Sequence, residues 1–184
     1  MAPARLQDFI RAMDLLSDRD SDEAAILREG AASLATLVRH DDWLPAALSA
    51  APAKGYAQYL LHCDARRRFC VVSFVWAPGA RTPIHDHTVW GMVGVMRGAE
   101  NCYEYDAPRA GTAMRPRAQH RIEAGGVDRV SPRIGDIHVV ENALADRPSL
   151  SIHVYGGDIG RIERHVFDER TGEAKRFVSG YSNA

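Results

Sequence analysis

The sequence predicts a mainly β protein, in which an antiparallel barrel or sandwich carries a layer of helices on its outside. The first observation is a series of short β-rich runs, divided by glycine, proline and aspartate, that begins at Tyr56. The second is a helical spacing of apolar residues over the first fifty positions. The third is the length of 184 residues, which fits one domain with its own core.

Residues 1–50 form the predicted helical layer. Apolar residues recur there every three or four positions, as in helices that cover a core with one face. Ser21 precedes the second of two apolar stripes and is its expected N-cap. The two stripes consist of Leu6, Phe9, Ile10, Met13 and Leu16, and of Ile26, Leu27, Leu34, Leu37 and Val38.

Residues 56–184 form the predicted barrel. Its runs are short, closely spaced and rich in β-branched and aromatic residues, which is typical of antiparallel sheets. Because no repeat, linker or low-complexity tract interrupts the chain, residues 1–184 are predicted to be one domain. The predicted strands are 56–62, 69–76, 91–105, 118–122, 135–142 and 150–155, with 164–167 and 174–178 as candidates in the charged last segment.

Charge and cysteine content narrow the function classes. The formal net charge is −1, and the basic runs 66–68 and 115–117 are too isolated to form a basic face. Nucleic acid and anionic membrane are therefore not expected as partners. The three cysteines lack metal-knuckle spacing, which fits free thiols in a reducing compartment. Because no apolar N-terminal stretch approaches a signal peptide or a membrane span, we expect a cytoplasmic protein.

Three histidines carry the strongest chemical signal. His85 and His87 are two positions apart, so on a strand both imidazoles point to one side. His138 lies in a second apolar run, which closure of a barrel brings near the first. Three neutral imidazoles bind a divalent ion and leave coordination positions open, as a catalytic site requires. The alternative is that His85 and His87 are a solvent-facing pair on a strand.

The acidic residues near these histidines differ in their expected roles. Asp86 and Glu141 have the opposite parity to the adjacent histidine, so neither is a first-choice ligand. Asp136 shares the face of His138 and is a candidate for orienting an imidazole. Ligand type alone does not choose the ion, because three histidines also suit catalytic zinc.

A second constellation lies on the run 150–155. Ser151, His153 and Tyr155 share one face, while the positions between them are apolar. Such a triad passes hydrogen bonds from hydroxyl to imidazole to phenol. The alternative is a half-exposed strand whose polar side faces water. A serine hydrolase is not indicated, because no nucleophile elbow surrounds Ser151 and no acidic partner can be assigned.

The spacing of glycines and histidines resembles the two motifs of the cupin superfamily. The matching patterns are Gly79-x5-His85-x-His87 with Gly98 downstream, and Gly135-x2-His138-x3-Asn142. Gly91 stands where most cupins have a carboxylate ligand, and the proline of the second motif appears one place early, as Pro132. The resemblance implies a jelly-roll-like antiparallel cupin barrel. A three-histidine ferrous centre without the carboxylate keeps its full positive charge, which favours thiolate and carboxylate donors.

Together with Ser151-x-His153-x-Tyr155, these histidines resemble the thiol dioxygenases of the cysteine dioxygenase family, from about residue 56 to about residue 164. The family consists of iron enzymes on a cupin barrel that convert a small thiol and dioxygen (O2) to a sulfinic acid. The resemblance implies ferrous iron (Fe2+) as the cofactor, with a hydrogen-bonded triad whose tyrosine hydroxyl lies on the substrate side. The implied iron ligands are His85, His87 and His138, and the implied triad is Ser151, His153 and Tyr155.

Two departures from the animal cysteine dioxygenases bear on the substrate. Those enzymes have a cysteine near the position of Gly91, crosslinked to the triad tyrosine, so Tyr155 is expected to be unmodified here. They also bind the substrate carboxylate with an arginine on the strand where this sequence has Gln58, and a neutral amide cannot supply the charged fork of a guanidinium. The glutamine-bearing bacterial branch resembles 3-mercaptopropionate dioxygenase, whose carboxylate-binding arginine matches Arg164.

The sequence therefore predicts an Fe2+-dependent dioxygenase that converts 3-mercaptopropionate, or a close small thiol carboxylate, to its sulfinic acid. Arg164 and Gln58 are the predicted substrate-binding residues, with a surface arginine as the alternative for Arg164. Trp90 and Met92 are candidates for shaping the pocket, with simple core packing as their alternative. Cysteine dioxygenase proper is the alternative within this class. A non-catalytic cupin that binds a metal or ligand, and a zinc hydrolase, are the alternatives from other classes.

Overall fold

The computed structural model describes residues 3–19 and 22–183. Its N-terminal part is helical, and the apolar stripe of each long helix is buried except for Ile10, which is partly buried. The second helical segment is capped by Asp22, whose carboxylate accepts a hydrogen bond from the Ala25 N–H at 2.7 Å. Ser21, the expected cap, lies outside the described residues. The helices are α1 Ala4–Asp18, α2 Glu23–Ala25 and α3 Ala31–Val38, with a π-helical turn Ile26–Gly30 between α2 and α3 and a 3-10 turn Ala46–Leu48 after them.

Eleven strands follow in the described part of the chain: β1 Tyr56–Cys63, β2 Cys70–Trp76, β3 Ile84–His85, β4 Gly91–Arg97, β5 Ala99–Tyr105, β6 Pro116–Glu123, β7 Val127–Val130, β8 His138–Asn142, β9 Ser149–Tyr155, β10 Arg164–Phe167 and β11 Ala174–Phe177. They form a five-stranded sheet in the order β1-β2-β9-β4-β7 and a six-stranded sheet in the order β11-β10-β3-β8-β5-β6. Every pairing is antiparallel. The predicted fold class, mainly β with an outer helical layer, is confirmed.

The strands differ from the prediction in a few places. Gly98 divides the predicted run 91–105 into β4 and β5, because its φ of +75° is left-handed. A Cβ atom there would also lie 3.0 Å from the Leu144 side chain. β7 was not predicted because two charged residues separate its apolar ends. β3 was not predicted because it has only two residues. The strand predicted for 135–142 begins at His138.

The helices pack on the outer face of the five-stranded sheet. Gly94 of β4 permits the close approach of α3, since a Cβ atom at this position would lie 2.9 Å from both the Leu34 and the Val38 side chain. The buried side chains of α1, α3, β2, β4 and β9 form one continuous apolar core. None of the described helices has the length and apolar character needed to cross a bilayer.

β9 is a central strand of the five-stranded sheet, between β2 and β4, and all seven of its residues are buried. The apolar side chains Leu150, Ile152 and Val154 belong to the core under the helices. The polar side chains of Ser151, His153 and Tyr155 lie on the opposite face, toward the other sheet. The alternation therefore marks a strand that is buried on both faces, and the water-facing alternative is wrong.

The six-stranded sheet brings distant histidines together. The pairing of β3 with β8 places His85 directly opposite His138. On the other edge of β3, β10 places Val166 opposite His85, so Arg164 lies on the strand next to the histidine motif. The interior between the two sheets is therefore bordered by histidines on one side and by the polar face of β9 on the other.

Candidate active site

His85, His87 and His138 converge in the interior. Their ring centroids are 4.9 Å apart for the first pair and 4.8 Å apart for the other two. One nitrogen from each ring lies within 4.8 Å of one from each of the others, and all three residues are buried. The metal-site prediction is thus matched by the geometry, and the solvent-facing alternative for His85 and His87 is wrong.

Each of these imidazoles is held by its Nδ1 atom. His85 Nδ1 is 3.1 Å from the Pro83 carbonyl, which can only accept, so this nitrogen carries a proton. His87 Nδ1 is 2.9 Å from the Asp136 carboxylate, and His138 Nδ1 is 3.5 Å from the Cys102 sulfur. The Nε2 atoms of His85 and His87 therefore have free lone pairs, which is the tautomer that a metal ligand needs. The Cys102 thiol can donate to His138 Nδ1 or accept from it.

Asp136 fixes the orientation of His87. Besides the Nδ1 proton, its carboxylate accepts the backbone N–H of His87 at 3.0 Å and that of Thr88 at 2.9 Å. Burial alone would raise the pKa of Asp136, but these hydrogen bonds together lower it below its ordinary value. The predicted role of Asp136 in orienting an imidazole fits this geometry, and the imidazole is His87 rather than the neighbouring His138.

The two other acidic residues of the motifs make contacts outside the site. Asp86 accepts hydrogen bonds from the backbone N–H of His165 at 2.7 Å and from its Nδ1 at 2.8 Å. Glu141 accepts the phenolic proton of Tyr103 at 2.9 Å. Both therefore join strands, and neither lies among the three imidazoles, as their parity predicts.

Two of the three imidazoles, those of His85 and His138, are suited to a cation because they are neutral. Burial, and then repulsion from His87, lowers the pKa of His85 to about 3. Burial and the neighbouring histidines also hold the pKa of His138 well below its usual value. Neutral imidazole is the form that binds divalent transition metals, and a set of three nitrogen donors without a carboxylate leaves positions open. The donor set therefore fits a catalytic divalent ion.

The Ser-His-Tyr triad is formed within β9. Ser151 Oγ is 2.9 Å from His153 Nε2, and His153 Nδ1 is 2.8 Å from the Tyr155 hydroxyl. The indole N–H of Trp76 donates to Ser151 Oγ at 3.1 Å. Burial holds the pKa of His153 well below its ordinary value and raises that of Tyr155. The triad is thus an uncharged hydrogen-bond chain with a phenol at one end.

Tyr155 connects the triad to the histidine site. Its ring stacks on His87, with centroids 5.4 Å apart and an angle of 22° between the planes. Gly91 lies beside this ring, because a Cβ atom there would be 2.9 Å from Tyr155 Cδ1. Any larger side chain at position 91 would therefore require this ring to shift.

A cavity of about 50 Å³, lined by His85, His138, His153 and Tyr155, lies between the sheets. Its volume corresponds to the room of a few water molecules, so the site admits only a small ligand. Gln58 and Arg164, the two predicted substrate-binding residues, also line it.

Arg164 is a buried cation, only 5% exposed. Its Nη2 donates to Ser179 Oγ at 2.8 Å, and its guanidinium carbon lies 4.6 Å from the centre of the Phe177 ring. Among the described residues, Nε has no hydrogen-bond partner and no carboxylate lies within ion-pair distance. Burial lowers the pKa of this guanidinium. Since a buried charge without a counter-ion is costly, the arrangement favours an anion in the cavity.

Gln58 faces the same cavity from β1, and its amide nitrogen donates to the Gly180 carbonyl. Trp90 and Met92, the two candidates for shaping the pocket, do not line the cavity. Met92 is fully buried in the core beneath the helices, and Trp90 packs against that same core. Both alternate with Gly91, so their side chains point away from the Tyr155 ring, and core packing, the alternative for both residues, is what the structure shows.

Sequence reasoning missed the contacts that hold the site from behind. Cys102, expected only to be a free thiol, touches His138 and also forms a group with His120 and Asp128 whose ligand atoms lie within 4.8 Å of one another. Ser179 supports Arg164 from the C-terminal segment. No spacing in the sequence indicates these contacts, because they depend on which strands become neighbours.

Comparison with known families gives one match that covers most of the chain. A family model described as cysteine dioxygenase type I matches residues 48–170. The matched segment contains all three histidines, the triad, Gln58 and Arg164. It also includes β1 to β10 and excludes the two long helices.

Solved structures with similar folds include three proteins of low identity. The cupin domain of Schizosaccharomyces pombe Cnp3 is 12% identical, with a TM-score of 0.43, over 56% of this chain and 65% of that chain. A Klebsiella pneumoniae protein with a double-stranded β-helix domain is 13% identical, with a TM-score of 0.49, over 76% of this chain and 98% of that chain. A cupin superfamily protein from Desulfitobacterium hafniense is 13% identical, with a TM-score of 0.47, over 65% of this chain and 94% of that chain.

Proposed function

Because the chain belongs to the cysteine dioxygenase type I family, we propose that it is an Fe2+-dependent dioxygenase of 3-mercaptopropionate or a close small thiol carboxylate. The family is one of thiol dioxygenases that use non-haem iron. The proposed reaction adds both atoms of O2 to the sulfur and yields the sulfinic acid. A thiolate and O2 together contain all the atoms and electrons of the sulfinate, so the reaction needs no further reductant.

The observation that carries the proposal is a small cavity with metal-ligating groups and a buried guanidinium on its walls. His85 and His138 face it, and Arg164 faces it without a carboxylate partner among the described residues. A thiol carboxylate has one soft donor for a metal and one anionic group for a guanidinium. The proposed ligand therefore complements both features of the cavity.

Iron bound by His85, His87 and His138 would supply open coordination positions and the redox chemistry that joins a thiolate to O2. The protein's own contribution is positioning and charge. Arg164 would bind the carboxylate with charge-assisted hydrogen bonds through Nε and the guanidinium edge, and so fix the direction of the thiol. Tyr155 would donate its phenolic proton to the reacting group, held in place by His153.

The lining of the cavity favours 3-mercaptopropionate over cysteine. Of its described lining residues, none is an aspartate or glutamate that could bind the ammonium group of an amino acid. Gln58 offers an ammonium group only a neutral amide oxygen, because its amide N–H group is itself a donor and bonds to the Gly180 carbonyl. A ligand without an ammonium group leaves no buried cation unpaired there.

The test is oxygen uptake by the iron-loaded protein with 3-mercaptopropionate, cysteine and cysteamine. We expect the highest kcat/KM for 3-mercaptopropionate, and the lowest for cysteamine because it has no carboxylate. A higher kcat/KM for cysteine would identify the protein as cysteine dioxygenase proper, the alternative that the family description favours. Metal binding without oxygen uptake for any thiol would identify a non-catalytic cupin.

A pair of arginine variants tests how the substrate is held. Arg164→Gln removes the buried cation and should lower kcat/KM for 3-mercaptopropionate by about 10- to 100-fold, mainly through KM. Arg161→Gln is the matched control, because Arg161 lies nearby on the chain but is exposed and pairs with Asp158. Equal kinetics for both variants would remove Arg164 from substrate binding.

A further inference from the structure

A buried carboxyl group lies beside Ser151, at the end of the Ser-His-Tyr chain opposite to Tyr155. Glu100 on β5 is 0% exposed, and its Oε1 is 3.4 Å from Ser149 Oγ. Ser151 and Trp76 lie close enough to this carboxyl to act on its pKa. Among the described residues Oε2 has no hydrogen-bond partner. Glu100 therefore lies beside Ser151, the end of the triad farthest from Tyr155, with one buried carboxyl oxygen unpartnered.

Glu100 is in an environment that favours the neutral acid. In the part of the chain that the structure describes, no cationic side chain acts on it. Burial raises the pKa of Glu100 to about 8, although hydrogen bonds from Ser151, Ser149 and Trp76 oppose the rise. At neutral pH the group is thus mostly a carboxylic acid, with one O–H to donate.

Ser151 is the point at which this proton matters. A serine hydroxyl has one proton to donate and two lone pairs to accept with. One lone pair accepts the indole N–H of Trp76. The hydrogen bond with His153 Nε2 can run in either direction, and its direction decides whether Ser151 accepts from Glu100 or donates to it.

The two directions place the phenolic proton differently. With a neutral Glu100, the acid donates to Ser151, Ser151 donates to His153 Nε2, and His153 donates its Nδ1 proton to the Tyr155 oxygen. The phenolic proton is then free to point into the cavity. With an ionised Glu100, Ser151 donates to the carboxylate, His153 donates Nε2–H to Ser151, and Tyr155 donates to Nδ1. The phenolic proton is then withdrawn from the cavity.

We propose that Glu100 is a positioning residue that donates a hydrogen bond to Ser151 and so directs the Tyr155 hydroxyl proton into the cavity. The benefit for catalysis rests on the proposed function. The direction of the hydrogen bonds between Glu100 and Tyr155 is a property of the protein alone. Ionisation of Glu100 reverses the chain, and Tyr155 then ceases to be a donor to a ligand in the cavity.

The other titratable groups around Glu100 keep one charge state near neutral pH. Tyr155 on β9 and Cys102 on β5 interact with it electrostatically, and His153 lies beyond Ser151. Burial raises the pKa of the Tyr155 hydroxyl and of the Cys102 thiol, and it lowers that of His153. On the paired strands β6 and β8, the residues opposite Glu100 are Ile122 and Asn142, which do not titrate. The charge that changes near pH 8 is therefore that of Glu100.

Nitrogen-15 NMR of the metal-free protein, labelled at histidine, tests the direction of the chain without turnover. The His153 signals are assigned by their loss in His153→Gln. We expect the Nδ1–H tautomer at about pH 6, and half conversion to the Nε2–H tautomer near pH 8. In Glu100→Gln, whose amide donates to Ser151 but does not ionise, the Nδ1–H tautomer should persist. Glu123→Gln, at an exposed carboxylate on β6, should convert like the unmodified protein.

A single His153 tautomer from about pH 6 to about pH 9 in the unmodified protein would overturn the inference. So would the same conversion in Glu100→Gln. The titration of the unmodified protein needs no variant, so poor folding of Glu100→Gln leaves the test intact. A second arm compares pH profiles of thiol oxidation: the loss of kcat above pH 8 should be smaller in Glu100→Gln than in the unmodified protein, each relative to its own value at neutral pH. No thiol oxidation by either protein contradicts the proposed function, whereas an absent tautomer change contradicts the role of Glu100.

Discussion

The three-imidazole centre and the Ser-His-Tyr triad both contain buried histidines, but the ring nitrogens of these histidines make different hydrogen bonds. His85, His87, His138 and His153 are all buried. In the centre, each ring has one nitrogen bonded to the protein and one without a hydrogen-bond partner in the described part of the chain. In the triad, His153 has both nitrogens bonded within the protein. The comparison shows that counting hydrogen bonds at each nitrogen separates a metal ligand from a residue that transmits hydrogen bonds.

The two regions also belong to opposite sheets. His85 and His138 lie on β3 and β8 of the six-stranded sheet, and the triad lies on β9 of the five-stranded sheet. Tyr155 bridges the gap by stacking on His87. Ligand binding in the cavity therefore depends on both sheets. The strands that carry the histidine centre belong to one sheet, and the strand that carries the triad belongs to the other.

The largest expected difference concerns iron content. His87→Ala removes one of three ligands, so iron should fall from about one atom per chain to almost none, and activity with it. His153→Gln changes an imidazole that has no free nitrogen, so it should keep its iron. Metal analysis of both proteins after identical iron loading makes the measurement. Equal iron in the two variants would end the distinction between ligand and triad histidines.

The next largest effect is expected at Tyr155, which connects the two regions. Tyr155→Phe keeps the ring that stacks on His87 but removes the phenolic proton, so iron should stay bound while kcat falls about 100-fold. Steady-state oxygen uptake, together with iron content, checks this. Unchanged kcat would take the triad out of the mechanism.

A smaller effect is expected behind the centre. Asp136→Asn weakens the acceptor of the His87 Nδ1 proton, and iron affinity should fall about 10- to 100-fold. Excess iron should then restore most of the activity, which it cannot do for Tyr155→Phe. A competition titration with a chelator gives the affinity. If excess iron restored the activity of both variants, or of neither, the two regions would not be separate in function.

The smallest effect is expected at the far end of the triad. Ser151→Ala removes a hydrogen bond to His153 but leaves Tyr155 its own, so kcat should fall by about tenfold or less. KM for the thiol should stay the same, because Ser151 does not line the cavity. A changed KM would mean that the serine contacts the substrate directly.

Local spacing predicts which residues within each constellation share one face of a strand. On a strand, side chains two positions apart point to the same side. His85 and His87 therefore share one face, and so do Ser151, His153 and Tyr155. The helical layer follows in the same way from its apolar stripes. These features depend on neighbours within a few positions, which a single sequence records directly.

The supporting contacts could not be predicted because they depend on strand register. Cys102 reaches His138 only because β5 pairs with β8, and Glu100 faces Ser151 only because the two sheets pack together. The burial of β9 on both faces likewise requires knowledge of where the helices lie. Trp90 and Met92 pack in the core rather than at the pocket, because the side of the strand on which a residue lies decides which surface it reaches.

The central claim is that the three-imidazole centre oxidises a small thiol with both atoms of O2. Its most direct test is mass spectrometry of the product formed from 3-mercaptopropionate and oxygen-18 gas by the iron-loaded protein. We expect a sulfinate that carries both oxygen-18 atoms, and none from the metal-free protein or from His87→Ala. A fully iron-loaded protein that forms no sulfinate, or sulfinate formed equally well by His87→Ala, would contradict the account.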